Sequence, residues 1–249
     1  MNVLSSIEAA PRGGVAPCSK RVMNLSHFLR QAGRRHGDEI GFVHGEQHLT
    51  WAQLDARVDA MALALTARGV VKGDRILVQS RNCNQLFESM FACFRIGAVW
   101  VPTNYRQSPA EVAYLAEASG ASVMICQDVF PAHAQAVQEA VGGLEHLITI
   151  GEGRETYDAL VAEHAGQPCA LMDVTYDDPC WFFFTSGTTG RPKAGVLTHG
   201  QMGFVITNHL CDLMPGTTHE DASLVVAPLS HGAGTVSYTH LTLPTKRIV

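Results

Sequence analysis

The chain has 249 residues, of which 46% are hydrophobic and 16% charged, with a formal net charge of −5. That length and apolar content suffice for one large domain or two small ones, and exclude a disordered, collagenous or coiled-coil chain. The acidic balance offers nothing to nucleic acid, the 12 His being neutral at pH 7. The 7 Cys are odd in number, irregularly spaced and without a CxxC pair, which reads as reduced thiols in a cytoplasmic protein with no metal cluster. No apolar run has the length of a transmembrane segment, although peripheral membrane contact stays open, and the first residues lack a signal-peptide core. Residues 1–22 carry Pro11, Gly13, Gly14 and Pro17 and read as a flexible N-terminal extension.

From residue 23 the elements alternate. Ser26 is placed to cap a helix through Arg35, which Gly37 stops. Ile40 to His44 and His48 to Trp51 flank Gly45-Glu46 as a hairpin, with His44 and His48 on its surface. Thr50 caps a helix whose Leu54, Val58, Met61 and Leu65 follow helical spacing up to Gly69. A buried strand is expected at Arg75 to Gln79, a helix at Asn84 to Phe94 and a strand at Ala98 to Pro102. Ser108-Pro109 with Glu111 opens the next helix. A strand at Ser122 to Cys126, a helix at Pro131 to Val141 and a strand at Leu147 to Ile150 follow. Strands separated by helices of this length predict an α/β fold with a mostly parallel sheet flanked by helices. Residues 151–179 are more polar and read as a boundary. Beyond them come strands at Trp181 to Thr185 and Gly195 to Thr198, a helix at Gln201 to Leu213 and a strand at Leu224 to Ala227. The aromatic run Trp181 to Phe184 reads as the core of a central strand, and Phe204 and His209 as helix residues that pack in the core, with the lining of a ligand pocket as their alternative.

The chemistry sits between the strands at 181–185 and 195–198. Thr185, Ser186, Gly187, Thr188, Thr189 and Gly190 are small, with hydroxyls or a backbone that a ligand can approach, and Lys193 adds a positive charge. Exposed N–H groups, hydroxyls and one Lys suit a polyphosphate. The spacing is not the GxxxxGK[ST] of a P-loop, because Pro192 stands five residues after Gly187 and Ala194 follows Lys193. A Ser/Thr/Gly surface loop is the plain alternative.

TSGTTGRPKAGVLTH, at 185–199, resembles the phosphate-loop signature of the adenylate-forming enzymes, the acyl-CoA synthetases, luciferases and peptide-synthetase adenylation domains. LTWAQLDARV (49–58), FRIGAVWVPTNYRQSPAEVAYLAEASGASVMI (94–125) and APLSHGAGT (227–235) resemble further family segments in the same order. The resemblance implies that 23–235 is a partial AMP-binding domain, an incomplete N-terminal part of that fold. It implies an acyl-CoA synthetase-like ligase: a carboxylic acid, a fatty acid first among the readings, attacks ATP to give acyl-adenylate and pyrophosphate, and coenzyme A then displaces AMP. An aryl-CoA ligase, a peptide-synthetase adenylation domain and a catalytically dead nucleotide-binding module are the alternatives. Mg²⁺, Thr185, Ser186, Gly187, Thr188, Thr189, Gly190 and Lys193 would spread the charge on the leaving pyrophosphate. Lys193 and His231, the latter beside the reacting carboxylate, are the implied catalytic residues. Val236 to Val249 departs from the family pattern and resembles the read-through of a sequencing-library adaptor. That reading puts the family's Mg²⁺-binding Glu, ribose-binding Asp, hinge and lid Lys beyond the chain and leaves it inactive alone.

Overall fold

A computed structural model of the chain describes residues 23–185, 192–218, 220–231 and 247–248. Residues 1–22 and most of the 236–249 tail therefore lie outside the described residues, as does the 186–191 stretch.

Helix α1 runs Ser26–Arg35. Ser26 is not its cap. The backbone N–H of Ser26 donates to Asn24 Oδ1 at 2.9 Å, and the Ser26 hydroxyl accepts from Arg95 Nε at 3.0 Å. The cap position is Leu25, which has no side-chain cap, and the serine hydroxyl is committed to a buried arginine. The hairpin forms from β1 (Ile40–His44) and β2 (Gln47–Thr50), which pair antiparallel, with His44 and His48 exposed. Thr50 then starts α2 (Trp51–Ala67) with a reciprocal capping box to Gln53.

Strand β3 (Arg75–Gln79), helix α3 (Asn84–Ile96), strand β4 (Val99–Pro102), helix α4 (Pro109–Ser119), strand β5 (Val123–Gln127), helix α5 (Pro131–Ala140) and strand β6 (His146–Ile150) follow in order. Gly97 closes α3 at φ 71°, a left-handed cap that glycine adopts without strain. Ser108 and Glu111 make a second capping box at the start of α4. Helix α6 (Tyr157–Glu163) leads to β7 (Pro179–Thr185), β8 (Lys193–Thr198) and α7 (His199–Asn208), which a π-helical turn at His209–Leu213 extends.

The main sheet has six strands in the order β6-β5-β3-β4-β7-β8. All pairs are parallel except β7 with β8. The strand order sends β3 to its neighbour β4 on one side and β4 back over β3 to β5, so the α3 crossover covers one face and the α4 and α5 crossovers the other. One core joins α1, α2, α3, α6 and the Trp100 and Trp181 side of the sheet, and a second lies under α4 and α5. Trp100 and Trp181 are paired across β4 and β7 with ring centroids 5.7 Å apart.

Two expectations give way. Residues 151–179 are no boundary, because Tyr157, Leu160, Val161 and Val174 are buried. Arg57 ties α6 to α2 and α3 by reaching Asp158 and Glu88, each at 2.6 Å. The strand expected at Leu224 to Ala227 is absent. The structure has a two-residue strand β9 (Ala222–Ser223), paired parallel with β10 (Arg247–Ile248), and irregular chain after it. Leu224 and Val226 are exposed. An Asn82 side chain, not a neighbouring strand, meets the Ala227 carbonyl and the Leu229 amide.

Candidate active site

Strands β7 and β8 form a hairpin whose last paired residues are Thr185 and Lys193. Ser186, Gly187, Thr188, Thr189 and Gly190 follow Thr185 in the sequence and fall outside the described residues. Thr185 and Lys193 are both exposed, and directly opposed residues of an antiparallel pair carry their Cβ atoms about 5 Å apart. The ammonium and the hydroxyl thus stand at the root of one loop. The Tyr114 hydroxyl on α4 donates to the Pro192 carbonyl at 3.4 Å and fixes the loop's exit.

Thr185 also lines a cleft of about 430 Å³ at the carboxyl ends of β4 and β7. Phe183, Phe184, Leu115 and Pro102 give it apolar walls, and Asn104, Gln107, Ser230 and His231 give it polar ones. The His231 ring meets Phe183 edge-on, with centroids 5.8 Å apart and planes at 81°. Thr185 and His231, 46 positions apart in the chain, therefore face one space, and Lys193 stands beside it through its pairing with Thr185. The Trp181 to Phe184 run alternates about the strand: Trp181 and Phe183 pack against the main core, Phe182 and Phe184 against the second, and Phe183 and Phe184 also border the cleft. Phe204 is 61% exposed, so its expected place in the core is not met, and neither it nor His209 lines the cleft.

The loop after β4 lies inside the 94–125 segment that resembles the family, but the resemblance gives its residues no role. Its backbone is set by its own side chains. Asn104 N–H donates to Gln107 Oε1 at 2.9 Å, Arg106 N–H donates to Asn104 Oδ1 at 3.0 Å, and the Gln107 carbonyl bonds to His133 Nε2 at 2.8 Å. These contacts use the amide oxygens of Asn104 and Gln107, which leaves their NH₂ groups as donors beside the cleft. Arg106 points away, over the Tyr105 ring at 5.3 Å, into a second cleft of about 420 Å³. Arg81, Asn82, Val226 and Pro228 complete that cleft, and no carboxylate lines it. Both clefts sit outside the carboxyl ends of strands whose crossovers leave on opposite faces, where open α/β sheets bind ligands. The signal for this loop was its Asn-x-Arg sequence directly after a buried strand. A larger depression of about 940 Å³ beside β6 and α6 is lined by mixed charges and holds none of these residues.

Burial raises thiols of both cores: Cys126 under α4 and α5 is pushed up to about 12, and Cys93 and Cys180 in the main core are also raised well above the usual range. They are protonated packing groups, not nucleophiles. Neither cleft is lined by a carboxylate. Among the described residues no group of three His, Cys, Asp or Glu side chains could hold a metal ion. What the described part presents to a phosphate is the charge of Lys193 and the hydroxyl of Thr185. No helix among the described residues is long and apolar enough to cross a membrane.

The AMP-binding enzyme family matches residues 28–244. The chain belongs to that family. It is 37% identical over 190 residues to a feruloyl-CoA synthase of an Amycolatopsis species, across 76% of this chain and 36% of that protein. It is 29% identical to the 2,3-dihydroxybenzoate-AMP ligase of Bacillus subtilis strain 168, across 82% of this chain and 38% of the relative. The chain spans little more than a third of the length of such relatives. Among solved structures, a long-chain-fatty-acid-CoA ligase of Archaeoglobus fulgidus superposes with a TM-score of 0.83 at 18% identity, over 91% of this chain and 46% of the other. A benzoate CoA ligase of Burkholderia xenovorans LB400 gives 0.78 at 20% identity, over 91% and 45%. At such identities the likeness is one of fold: the mostly parallel, helix-flanked sheet of the N-terminal part of adenylate-forming enzymes.

Proposed function

We propose that this AMP-binding enzyme is the N-terminal part of an acid–thiol ligase that forms an acyl-adenylate from ATP and then a CoA thioester. The observation that carries the reading is the Thr185–Lys193 pair at the mouth of the cleft that also holds His231. The obstacle in the first step is charge, since a carboxylate must approach a triphosphate. The Lys193 ammonium and the Thr185 hydroxyl, with the 186–190 loop between them, meet the charge that collects on the leaving pyrophosphate. His231, Asn104 and Gln107 border the space where the acid's carboxylate would lie. The neighbouring Arg81 and Arg106 cleft, free of carboxylates, suits the phosphates of a thiol co-substrate such as coenzyme A.

The acid is an aromatic one in this reading, in preference to a long fatty chain. Phe183 and Phe184 offer flat apolar walls and His231 an edge-on ring, and the similar feruloyl-CoA synthase is named for an aromatic acid. The test is acyl-adenylate trapping in the enzyme at the full length of its relatives, with cinnamic-type, benzoic and palmitic acids compared at equal concentration. Greater adenylate formation from the aromatic acids supports the reading. Preference for palmitate overturns the aromatic assignment, and no adenylate from any acid overturns the function.

A further inference from the structure

The segment that carries His231 is gripped by one side chain from far away in the sequence. Asn82, in the turn after β3, donates from Nδ2 to the Ala227 carbonyl at 3.0 Å and accepts from the Leu229 N–H at 2.9 Å. Pro228 between them has no N–H to place. Its carbonyl accepts from the His231 N–H at 2.9 Å, which closes the turn. Leu229 is 3% exposed and seats the turn in the main core. The chain from Ala227 to His231 is thus held at both ends of a proline by a single amide, in a stretch whose apolar composition reads as strand.

The same stretch is a wall of both clefts. Val226 and Pro228 face the arginine cleft, and Ser230 and His231 face the aromatic one. Asn82 itself lines the arginine cleft and reaches His231 only through the backbone of the turn. Its own turn is anchored in the sheet, because Arg81 N–H donates to Gln127 Oε1 at 3.1 Å and the Ser80 hydroxyl to the same oxygen at 3.3 Å. The fixed point is therefore the end of β3 and β5, and the segment it locates is the one bearing His231.

We propose that Asn82 is a positioning residue, which fixes the Ala227–Leu229 turn and thereby sets His231 against Phe183 in the acid cleft. The activity arm of its test rests on the function proposed above; the clamp is a property of the chain itself.

Hydrogen exchange on residues 1–249 reads the clamp directly. Asn82→Ala raises exchange at the Leu229 and His231 amides by roughly 10- to 100-fold, the scale of two lost neutral hydrogen bonds. Asn82→Asp raises it less, because the carboxylate still accepts from Leu229 N–H. Amides of β3 and β4 stay at wild-type rates in both variants, which separates a local loss from global unfolding. In the enzyme at the full length of its relatives, Asn82→Ala slows acyl-adenylate formation by roughly 10- to 100-fold, the cost of misplacing a group at a reacting centre. In a His231→Ala background the same change costs less than about twofold, because residues that act through one another are not additive. Unchanged exchange at Leu229, or equal losses in the two backgrounds, overturns the proposal. If His231→Ala alone leaves adenylation at the wild-type rate, the function assigned to the cleft fails, and the exchange data by themselves uphold or refute the clamp.

Discussion

Lys193 opens β8 and His199, just past its other end, opens α7, and the two do opposite things with charge. Lys193 is exposed at the root of the loop, so its charge is available to a ligand. In the enzyme at the full length of its relatives, Lys193→Ala should slow acyl-adenylate formation by ~10- to 1000-fold, the range for loss of one charge-stabilising donor. Thiolation of preformed adenylate should change less, because pyrophosphate has already left. Equal losses in both half-reactions, measured by rapid quench, would mean that Lys193 supports the fold. His199 is fully buried; its Nδ1 accepts from Leu25 N–H at 3.3 Å, and its ring meets Phe94 edge-on. Burial, against a weaker pull from Asp178, pushes this imidazole down to about 4. The unfolded chain then binds a proton near pH 6.5 that the folded chain refuses. The stability involved is complete above pH 6.5 and is lost as pH falls toward 4, by at most about 1.4 kcal/mol per pH unit. Urea unfolding from pH 7 to 4.5 should show this decline, and His199→Asn should flatten it. Parallel pH profiles for the two proteins would rule out His199 as the source.

At the scale of elements, the three helices α1, α2 and α3 are stitched by buried charge as well as by apolar packing. Arg95 is fully buried on α3 and reaches Asp55 at 2.6 Å and Asp59 at 2.7 Å, both on α2. Arg30 on α1 meets the same two carboxylates at 2.9 and 2.6 Å. Two arginines balance two aspartates, so removal of either cation leaves negative charge with little water to solvate it. Arg95→Ala should therefore destabilise the chain by about 3–5 kcal/mol in urea unfolding, while a loss under about 1 kcal/mol would show that solvent or Arg30 compensates. Nothing in the sequence announces this network. Its members read as the polar stripe of amphipathic helices, and only the crossing of α1 over α2 and α3 turns that stripe inward. The caps at Thr50 and Ser108 were legible because they depend on residues three apart. Ser26 was misassigned because its hydroxyl serves a partner 69 positions away. The Leu224 to Ala227 run failed for a related reason: apolar, β-branched composition signals a strand only where a neighbouring strand takes its backbone, and here Asn82 does.

Across the whole molecule, the order β6-β5-β3-β4-β7-β8 decides which loops share a cleft. β4 and β7 lie side by side although α4, β5, α5, β6 and α6 separate them in the chain, and this adjacency brings Asn104 and Gln107 to Thr185. The parallel sheet could be read from alternation, and the two strands of the β7–β8 hairpin from the runs on either side of the motif. The aromatic wall and the arginine cleft could not, since each is assembled from strand ends that meet only in three dimensions. The central claim is that Thr185, Lys193 and His231 border one site where a carboxylic acid meets ATP. The most direct measurement is acid-dependent exchange of labelled pyrophosphate into ATP, made on the enzyme at the full length of its relatives and on its Lys193→Ala and His231→Ala variants. Exchange should require an added acid, fall by ~10- to 1000-fold in Lys193→Ala and fall also in His231→Ala. Exchange that needs no acid, or that survives both substitutions at the wild-type rate, would contradict the central claim.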